Sequence, residues 1–352
     1  VEEITLIKSE TNANVVIIDH HQIPENSPQA DVILNPKNDN TPNQLKNLCT
    51  AGIVFKFIEY LSEKYDFISV NDYCDIAALG TVADVVPLID ENRTIVKNGL
   101  PLLSKRKNIG IKQLLDNAKV QKNQISVDDI GFIIAPRLNS AGRLSSAHHG
   151  VDLLLSQTPS QAQSIAMKLE KLNQERRQLD NDVVADSISL LERTGADKES
   201  VIVLGQNGWH AGVIGIAASK LVSKYSKPVV IVGLEDDQGR GSARSFGEVN
   251  IYALLKECKQ FFTKFGGHKQ AAGFSLLPEQ FTDFKKAMEN VAKIAIHSEM
   301  LKETVYIDMQ LSGNDINWNL FNDIELLGPF GHGNNKPLFY SNNFDVLESR
   351  LV

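Results

Sequence analysis

Three side chains capable of acid–base and metal-ligand chemistry stand together at Asp19-His20-His21, directly after the run Val15-Val16-Ile17-Ile18. A carboxylate beside two imidazoles can bind a divalent cation, relay a proton or hydrogen-bond an oxyanion. The β-branched run reads as a strand buried on both faces and stopped by Gln22-Ile23-Pro24. The triplet then falls at the C-terminal lip of a strand, where open α/β sheets place their sites. Adjacent histidines could instead merely cap a surface turn. A fourth candidate is Asp84, the one charged residue between Ile76 and Leu88. A carboxylate buried in an apolar segment is costly unless a cation meets it; a helix N-cap or a turn would also account for it.

Around these residues the sequence predicts a Pro/Asn-rich loop over Pro24–Asn43, a helix over Thr50–Lys64, a helical segment around Tyr73–Leu79 and an apolar Gly131-Phe132-Ile133-Ile134 leading to Arg137. Thr158-Pro159-Ser160-Gln161 opens a long helix with a Thr cap, proline at the first position and Gln closing a capping box. Its helical spacing continues to Gly195, about 50 Å, long enough to bridge two domains. Beyond it come a strand at Val201–Leu204, a Gly-containing loop, a helix at Val213–Ser223 and a strand at Pro228–Val232. That order offers backbone N–H groups to an anion. The segment Gly239–Ser245 reads as a glycine loop in which Ser242 and Arg244 could hold phosphate oxygens, or as a plain hairpin. Phe265-Gly266-Gly267-His268, before a strand at Ala271–Leu276, supplies a second such surface. Trp209 reads as a core anchor, His210 as a helix cap or a substrate contact, and Trp318 and Phe321 as packing residues. A strand at Val305–Leu311 and the segment Pro337–Arg350 suggest the opening of a further β unit.

With 352 residues and 42% hydrophobic content, the chain can bury the cores of two to three domains. No stretch approaches the roughly twenty apolar residues of a membrane span. Cys49, Cys74 and Cys258 lack C-x-x-C spacing, so neither a disulfide framework nor a zinc site is indicated, and a reducing cytoplasm is the expected location. A net charge of −7 excludes coating of nucleic acid by bulk electrostatics. Local patches must serve: Arg137 with Arg143, Arg240 with Arg244, and Lys264 with His268 and Lys269, whereas Lys105-Arg106-Lys107 reads as a solvated face.

Asp19-His20-His21 and Gly80-Thr81-Val82-Ala83-Asp84-Val85-Val86-Pro87-Leu88 together resemble motifs of the DHH phosphoesterase superfamily. Ile134-Ala135-Pro136-Arg137-Leu138-Asn139-Ser140-Ala141-Gly142-Arg143-Leu144, Gly208-Trp209-His210-Ala211-Gly212, Phe265-Gly266-Gly267-His268 and Leu327-Gly328-Pro329-Phe330-Gly331-His332-Gly333-Asn334 follow in the order seen in its RecJ family of single-stranded-DNA exonucleases. The resemblance implies an α/β fold: a partial DHH domain with a parallel sheet (1–155), a long connector helix (156–195), a DHHA1 nucleic-acid-binding domain with a mixed sheet (196–300) and the start of an oligonucleotide-binding (OB-like) β unit (301–352).

It further implies 5′-to-3′ hydrolysis of single-stranded DNA in repair and recombination, with two Mn2+ (or Mg2+) ions. Mixed carboxylate and imidazole ligation suits manganese better than magnesium. His20 and Asp84 would ligate metal, His21 would contact the scissile phosphate or protonate the leaving group, and Asp19 would orient the imidazoles. Arg137, Asn139 and Arg143 would line the substrate path, and His210, Ser242, Arg244, Gly266, Gly267 and His268 would bind substrate. Single-stranded DNA is the implied partner, with a helicase and a single-strand-binding protein as further partners. One departure matters: the superfamily's earlier aspartates should precede Asp19, yet the eighteen residues before it contain none. The expectation is therefore a chain truncated at both ends and catalytically inactive by itself. The alternatives are a DHH enzyme of short oligonucleotides, cyclic dinucleotides or phosphoadenosine phosphate, a pyrophosphatase of the same superfamily, and a noncatalytic nucleic-acid-binding module.

Overall fold

The computed structural model describes residues 2–23, 26–66, 69–342, 345 and 347–350. Helix α1 (Glu2–Glu10) has glutamates in its first turn and Lys8 in its last, the order the helix dipole favours. Strand β1 (Val16–Ile18) pairs in parallel with β2 (Val32–Leu34), Val16 opposite Val32 and Ile18 opposite Leu34. Two expectations are corrected here. Val16 is 57% exposed rather than buried, because β2 is the one neighbour of β1 among the described residues. Strand β2 itself lies within the stretch read as loop, a three-residue run too short to stand out among turn residues. Pro24, expected to stop the strand, lies outside the described residues.

Helix α2 (Thr50–Lys64) begins and ends where its pattern predicts. Helix α3 (Cys74–Ala83) buries Ala77, Ala78, Leu79, Thr81 and Val82 and packs along α4 (Asp90–Ser104). Helix α5 (Ile109–Asn117) is capped by Asn108, whose side chain accepts the Ile111 N–H at 3.0 Å. Helix α6 (Val127–Asp129) starts with a reciprocal capping box between Ser126 and Asp129 and passes through a π-turn at Ile130–Ile134 into α7 (Ala135–Leu144). Pro136 gives the physical reason for the π-turn. It has no N–H to offer the Phe132 carbonyl, and its ring crowds that oxygen.

After α8 (His148–Leu154), helix α9 (Pro159–Thr194) runs for 36 residues, about 54 Å, to Gly195 at φ +68°. Thr158 Oγ1 accepts the Gln161 N–H at 3.3 Å as expected. Gln161 Oε1 takes the N–H of Gln157 at 3.4 Å, so the return half of the box falls one residue early.

The second sheet is built from β3 (Ile202–Asn207), α10 (Ile214–Tyr225), β4 (Val229–Leu234), β5 (Gly239–Arg244), α11 (Ile251–Lys256), β6 (Phe262–His268), β7 (Ala271–Leu276) and α12 (Phe281–Ala295). Strand order is β3-β4-β5-β7-β6, with β3 and β4 parallel and the other pairs antiparallel, the mixed sheet that was expected. One face buries Val203, Val230, Ala243 and Phe274 against Phe284 and Met288 of α12. The other buries Ile202, Leu204, Val229 and Ile231 against α10 and against Val183 and Leu191 of α9. This is the period-two division of a sheet, with β3 and β4 covered on both sides and β5, β7 and β6 on one.

The segment read as a glycine loop is strand β5. Gly239, Gly241 and Ala243 are buried while Arg240, Ser242 and Arg244 alternate on the opposite side. A Cβ at Gly241 would fall 2.1 Å from the Phe274 ring, so glycine here serves close packing inside a sheet rather than a turn.

The chain closes with β8 (Met309–Gln310), α13 (Trp318–Glu325) and β9 (Phe339–Tyr340), where β8 and β9 pair in parallel. The expected strand over Val305–Leu311 is thus reduced to two residues, and residues 343, 344 and 346 of the expected later segment lie outside those described. Trp318 and Phe321 meet edge-on at 5.7 Å but are 79% and 50% exposed, so their packing is with each other rather than in a core. Residues 1–138, 149–168 and 306–352 form one compact unit, and 139–148 with 169–305 form another. Among the described residues no helix is long and apolar enough to cross a membrane.

Candidate functional site

The backbone leaves β1 with the Asp19 N–H donating to the Leu34 carbonyl at 3.0 Å, which fixes the next three side chains at the strand tip. Asn35 holds the following turn by donating to the His21 carbonyl at 2.9 Å. His20 Nδ1 lies 3.0 Å from Thr50 Oγ1 at the start of α2, and His20 Nε2 lies 3.0 Å from Asp84 Oδ2. His21 Nδ1 meets Asp19 Oδ1 at 2.7 Å. Partial burial pushes the Asp19 carboxyl up, but hydrogen bonds from His21 and from the His21 and His20 backbone N–H groups outweigh it and hold the carboxyl below its usual range.

Asp84 sits at the C-cap of α3. The N-cap explanation is therefore overturned, and a carboxylate at this end opposes the helix dipole, so helix stability does not account for it. In the tautomer whose Nδ1–H donates to Thr50, the Nε2 lone pair is left for a cation shared with the Asp84 carboxylate; in the other, Nε2–H donates to that carboxylate directly. One imidazole nitrogen and one carboxylate oxygen converging in this way, with the other ring nitrogen oriented by a hydroxyl, fit a divalent metal ion. The Asp19, His20 and His21 ligand atoms also fall within 4.8 Å of one another.

The second unit contains a cavity of about 860 Å³, lined by Arg143, His210, Arg240, Ser242, Lys264 and Gly266 among others, with Glu235 as its acidic residue. Arg244 stands behind Ser242, donating to Ser242 Oγ at 3.0 Å and to the Ala243 carbonyl at 2.9 Å. Burial, and then the neighbouring Arg143 cation, hold its guanidinium below the usual value. Among the described residues neither Arg143 nor Arg244 has a carboxylate within 4.0 Å. Two unneutralised guanidiniums beside a hydroxyl make a site for an anion, and the first turn of α10 reaches the same place: a Cβ on Gly215 would lie 2.7 Å from Arg244 Nη2.

Of the residues named from sequence, Arg143, His210, Ser242 and Gly266 line this cavity and Arg244 supports it. Gly267 and His268 instead form the end of β6, paired with Ala272 and Ala271 beside the β6–β7 turn. Gly267 has φ +152° and a Cβ there would fall 2.5 Å from the Ala271 carbonyl, while His268 Nδ1 accepts the Gln270 N–H at 3.4 Å. Arg137, in the first unit, donates its Nη1 to the Ile133 carbonyl at 2.8 Å, and Asn139, in the second, is exposed and does not line the cavity. His210 lines the cavity and accepts the Gly212 N–H at 3.0 Å in the loop before α10, whose N-cap Val213 makes no side-chain cap bond, so His210 is not the helix cap. Trp209 is buried, its indole N–H on Asp186 at 3.3 Å. Arg106 is structural, bonded to Asp116 and to the Val120 and Lys122 carbonyls.

Sequence reasoning missed Thr50, Asn35 and Gln238, the last of which lines the cavity and accepts from Arg240 Nε at 3.1 Å. Thr50 carried a signal only as a helix start, and Asn35 only as a loop residue. Asp19 orients one imidazole, His21; Thr50 takes that part for His20.

Three family models match: "DHH family, N-terminal domain" over residues 1–81, "DHHA1 domain" over 198–294 and "RecJ OB domain" over 307–352. The chain is 32% identical to the single-stranded-DNA-specific exonuclease RecJ of Bacillus subtilis, over 94% of this chain and 42% of that protein. It superposes on the crystal structure of RecJ with Mn2+ from Thermus thermophilus at a TM-score of 0.84 and 30% identity, covering 94% of this chain and 49% of the other. A crystal structure of exonuclease RecJ bound to manganese matches at 0.67 and 30% identity, over 82% of this chain and 71% of that one. The chain thus spans about half the length of the first of these relatives. Fold, motif order and identity agree, and the chain belongs to the RecJ family of the DHH/DHHA1 phosphoesterase superfamily.

Proposed function

We propose that this chain carries the core of a metal-dependent exonuclease that removes nucleotides from single-stranded DNA in the 5′-to-3′ direction during repair and recombination. The observation that carries this reading is the His20 Nε2–Asp84 Oδ2 approach of 3.0 Å at a strand tip. Its support is a cation-lined cavity of nucleotide size in the second unit. His20 and Asp84 would hold a Mn2+ or Mg2+ ion, which supplies an activated water and charge neutralisation at the phosphate. Thr50 fixes the His20 ring, and Asp19 holds His21 with Nδ1 occupied, leaving His21 Nε2 to meet a phosphate oxygen or a leaving group. Arg143, Ser242 and Arg244 would grip the strand by its phosphates, with His210 and Gly266 beside them. A helicase and a single-strand-binding protein are the partners this reading implies. The division at residues 155, 195 and 300 into catalytic, connector, DNA-gripping and OB-like parts belongs to the same proposal.

His20 and Asp84 are two ligands where catalytic sites ordinarily supply three or more. We therefore expect these 352 residues to bind a 5′-phosphorylated oligonucleotide without hydrolysing it, and hydrolysis to appear when a segment carrying the superfamily's further aspartates is joined to them. Degradation assays with Mn2+ on both proteins test this. Activity of the 352 residues alone refutes the ligand count, and failure of both to bind or cut refutes the nuclease reading.

A further inference from the structure

Asp84 is followed by Val85 at φ +60°, and the same loop ends at Asp90 with φ +46°. A β-branched residue in the left-handed region is a true outlier, costing on the order of 1–3 kcal/mol and persisting only where surrounding structure enforces it. Val85 closes helix α3 as its left-handed end residue, its N–H on the Val82 carbonyl, a place that glycine ordinarily takes and a β-branched residue occupies only under strain. The loop is gripped from some 240 residues away in sequence, by Leu327–Asn334 within the same compact unit. The Leu88 N–H donates to the His332 carbonyl at 2.6 Å. Gly331 and Gly333 lie so close that added Cβ atoms would fall 2.7 Å from Leu88 Cδ1 and 2.8 Å from Pro87 Cβ, and Gly333 itself has φ +75°. Arg93 ties the other end down, its Nη2 donating to the Leu327 and Gly328 carbonyls at 2.8 and 3.2 Å. From inside the unit, Asn92 donates to the Pro87 carbonyl at 3.0 Å.

We infer that Leu327–Asn334 is a positioning clamp for the metal ligand Asp84: by holding Pro87 and Leu88 it keeps Val85 in its strained conformation and so fixes the carboxylate opposite His20. The inference rests on the reading of Asp84 as a ligand. It gives the C-terminal β segment a role in the metal site that its sequence position does not suggest. Gly331, Gly333 and Arg93 are positioning residues, acting on Asp84 through the loop they hold.

The test uses the whole chain and two readouts, Mn2+ affinity by titration and, without metal, the His20 imidazole resonances that report contact with Asp84. Gly333→Val presses on Pro87 and is expected to weaken Mn2+ binding about tenfold, the scale of losing a group that orients a ligand. Arg93→Gln, a milder variant should the first fold poorly, is expected to weaken it about threefold on the same scale. Both should shift the His20 resonances in the metal-free protein. Val85→Gly alone should leave affinity within about twofold, since glycine adopts positive φ freely; combined with Gly333→Val it should restore most of the loss. Unchanged His20 resonances and wild-type affinity in both clamp variants overturn the inference. So does a loss that Val85→Gly fails to rescue, which would make the clamp a fold element only. If the unaltered chain binds no Mn2+, the ligand reading fails, and the metal-free His20 resonances still decide whether the clamp positions Asp84.

Discussion

The two candidate sites are built in opposite ways. In the cavity of the second unit, a sheet sets the spacing of part of the lining: Ser242 and Arg244 share one side of β5, Gly266 pairs with Gly273 across β6 and β7, and the opposite side is buried core, while Arg143 comes from α7 and His210 from the loop before α10. At the metal site each group comes from a different place. His20 leaves a three-residue strand, Thr50 opens a helix, and Asp84 closes another helix beside a backbone outlier held by a remote loop. A sheet tolerates loss of one side chain because the ladder keeps the others in register. A site assembled from loop ends and helix ends depends on each of its contacts.

The largest expected effect separates the sites outright. Asp84→Asn should reduce Mn2+ affinity by about a hundredfold, the upper range for disturbing a metal's ligand environment, while oligonucleotide binding stays within about twofold. Titration calorimetry and fluorescence anisotropy read the two. Conversely, Arg244→Ala should weaken oligonucleotide binding about tenfold and lower the salt slope by nearly one, with Mn2+ binding unchanged. An equal loss in both assays from either variant would break the comparison. Next in size, Thr50→Val removes the group that orients His20 and should cost about tenfold in Mn2+ affinity.

These effects follow from contacts that the sequence displayed unevenly. Asp-His-His after a β-branched run marked the strand tip because charge and imidazole do not belong inside a strand, and Thr-Pro-Ser-Gln marked the start of α9 to the residue. The alternation Gly-Arg-Gly-Ser-Ala-Arg was equally present, yet glycine signals turns more strongly than it signals a packed strand. Thr50 could not be found, because nothing local to a helix start reveals a histidine thirty residues earlier. The grip of Gly331 and Gly333 on Pro87 and Leu88 is a tertiary contact between segments about 240 residues apart, and glycine types alone do not announce their partners.

A smaller effect tests the scaffold of the unit that carries the first site. Burial raises the Asp129 carboxyl, but the Lys122 ammonium and the Ser126 hydrogen bonds outweigh it and hold it below its usual range. A depressed folded-state value stabilises the protein above the unfolded-state pKa, and that stability is lost as pH falls through the folded-state value. Asp129→Ala should therefore cost about 1–2 kcal/mol near neutrality and progressively less in acid, as urea unfolding at several pH values would show. Smallest of all, burial pushes the Cys258 thiol up to about 11, and Cys49 and Cys74 are buried as well. Iodoacetamide at pH 8 should label none of the three until the chain unfolds.

The central claim, that the strand tip and the end of α3 meet at a metal ion, is tested most directly by electron spin echo measurements on the Mn2+-loaded chain and its His20→Gln and His21→Gln variants. The account predicts coupling to an imidazole nitrogen that survives His21→Gln and disappears in His20→Gln. Coupling that persists without His20 would contradict it.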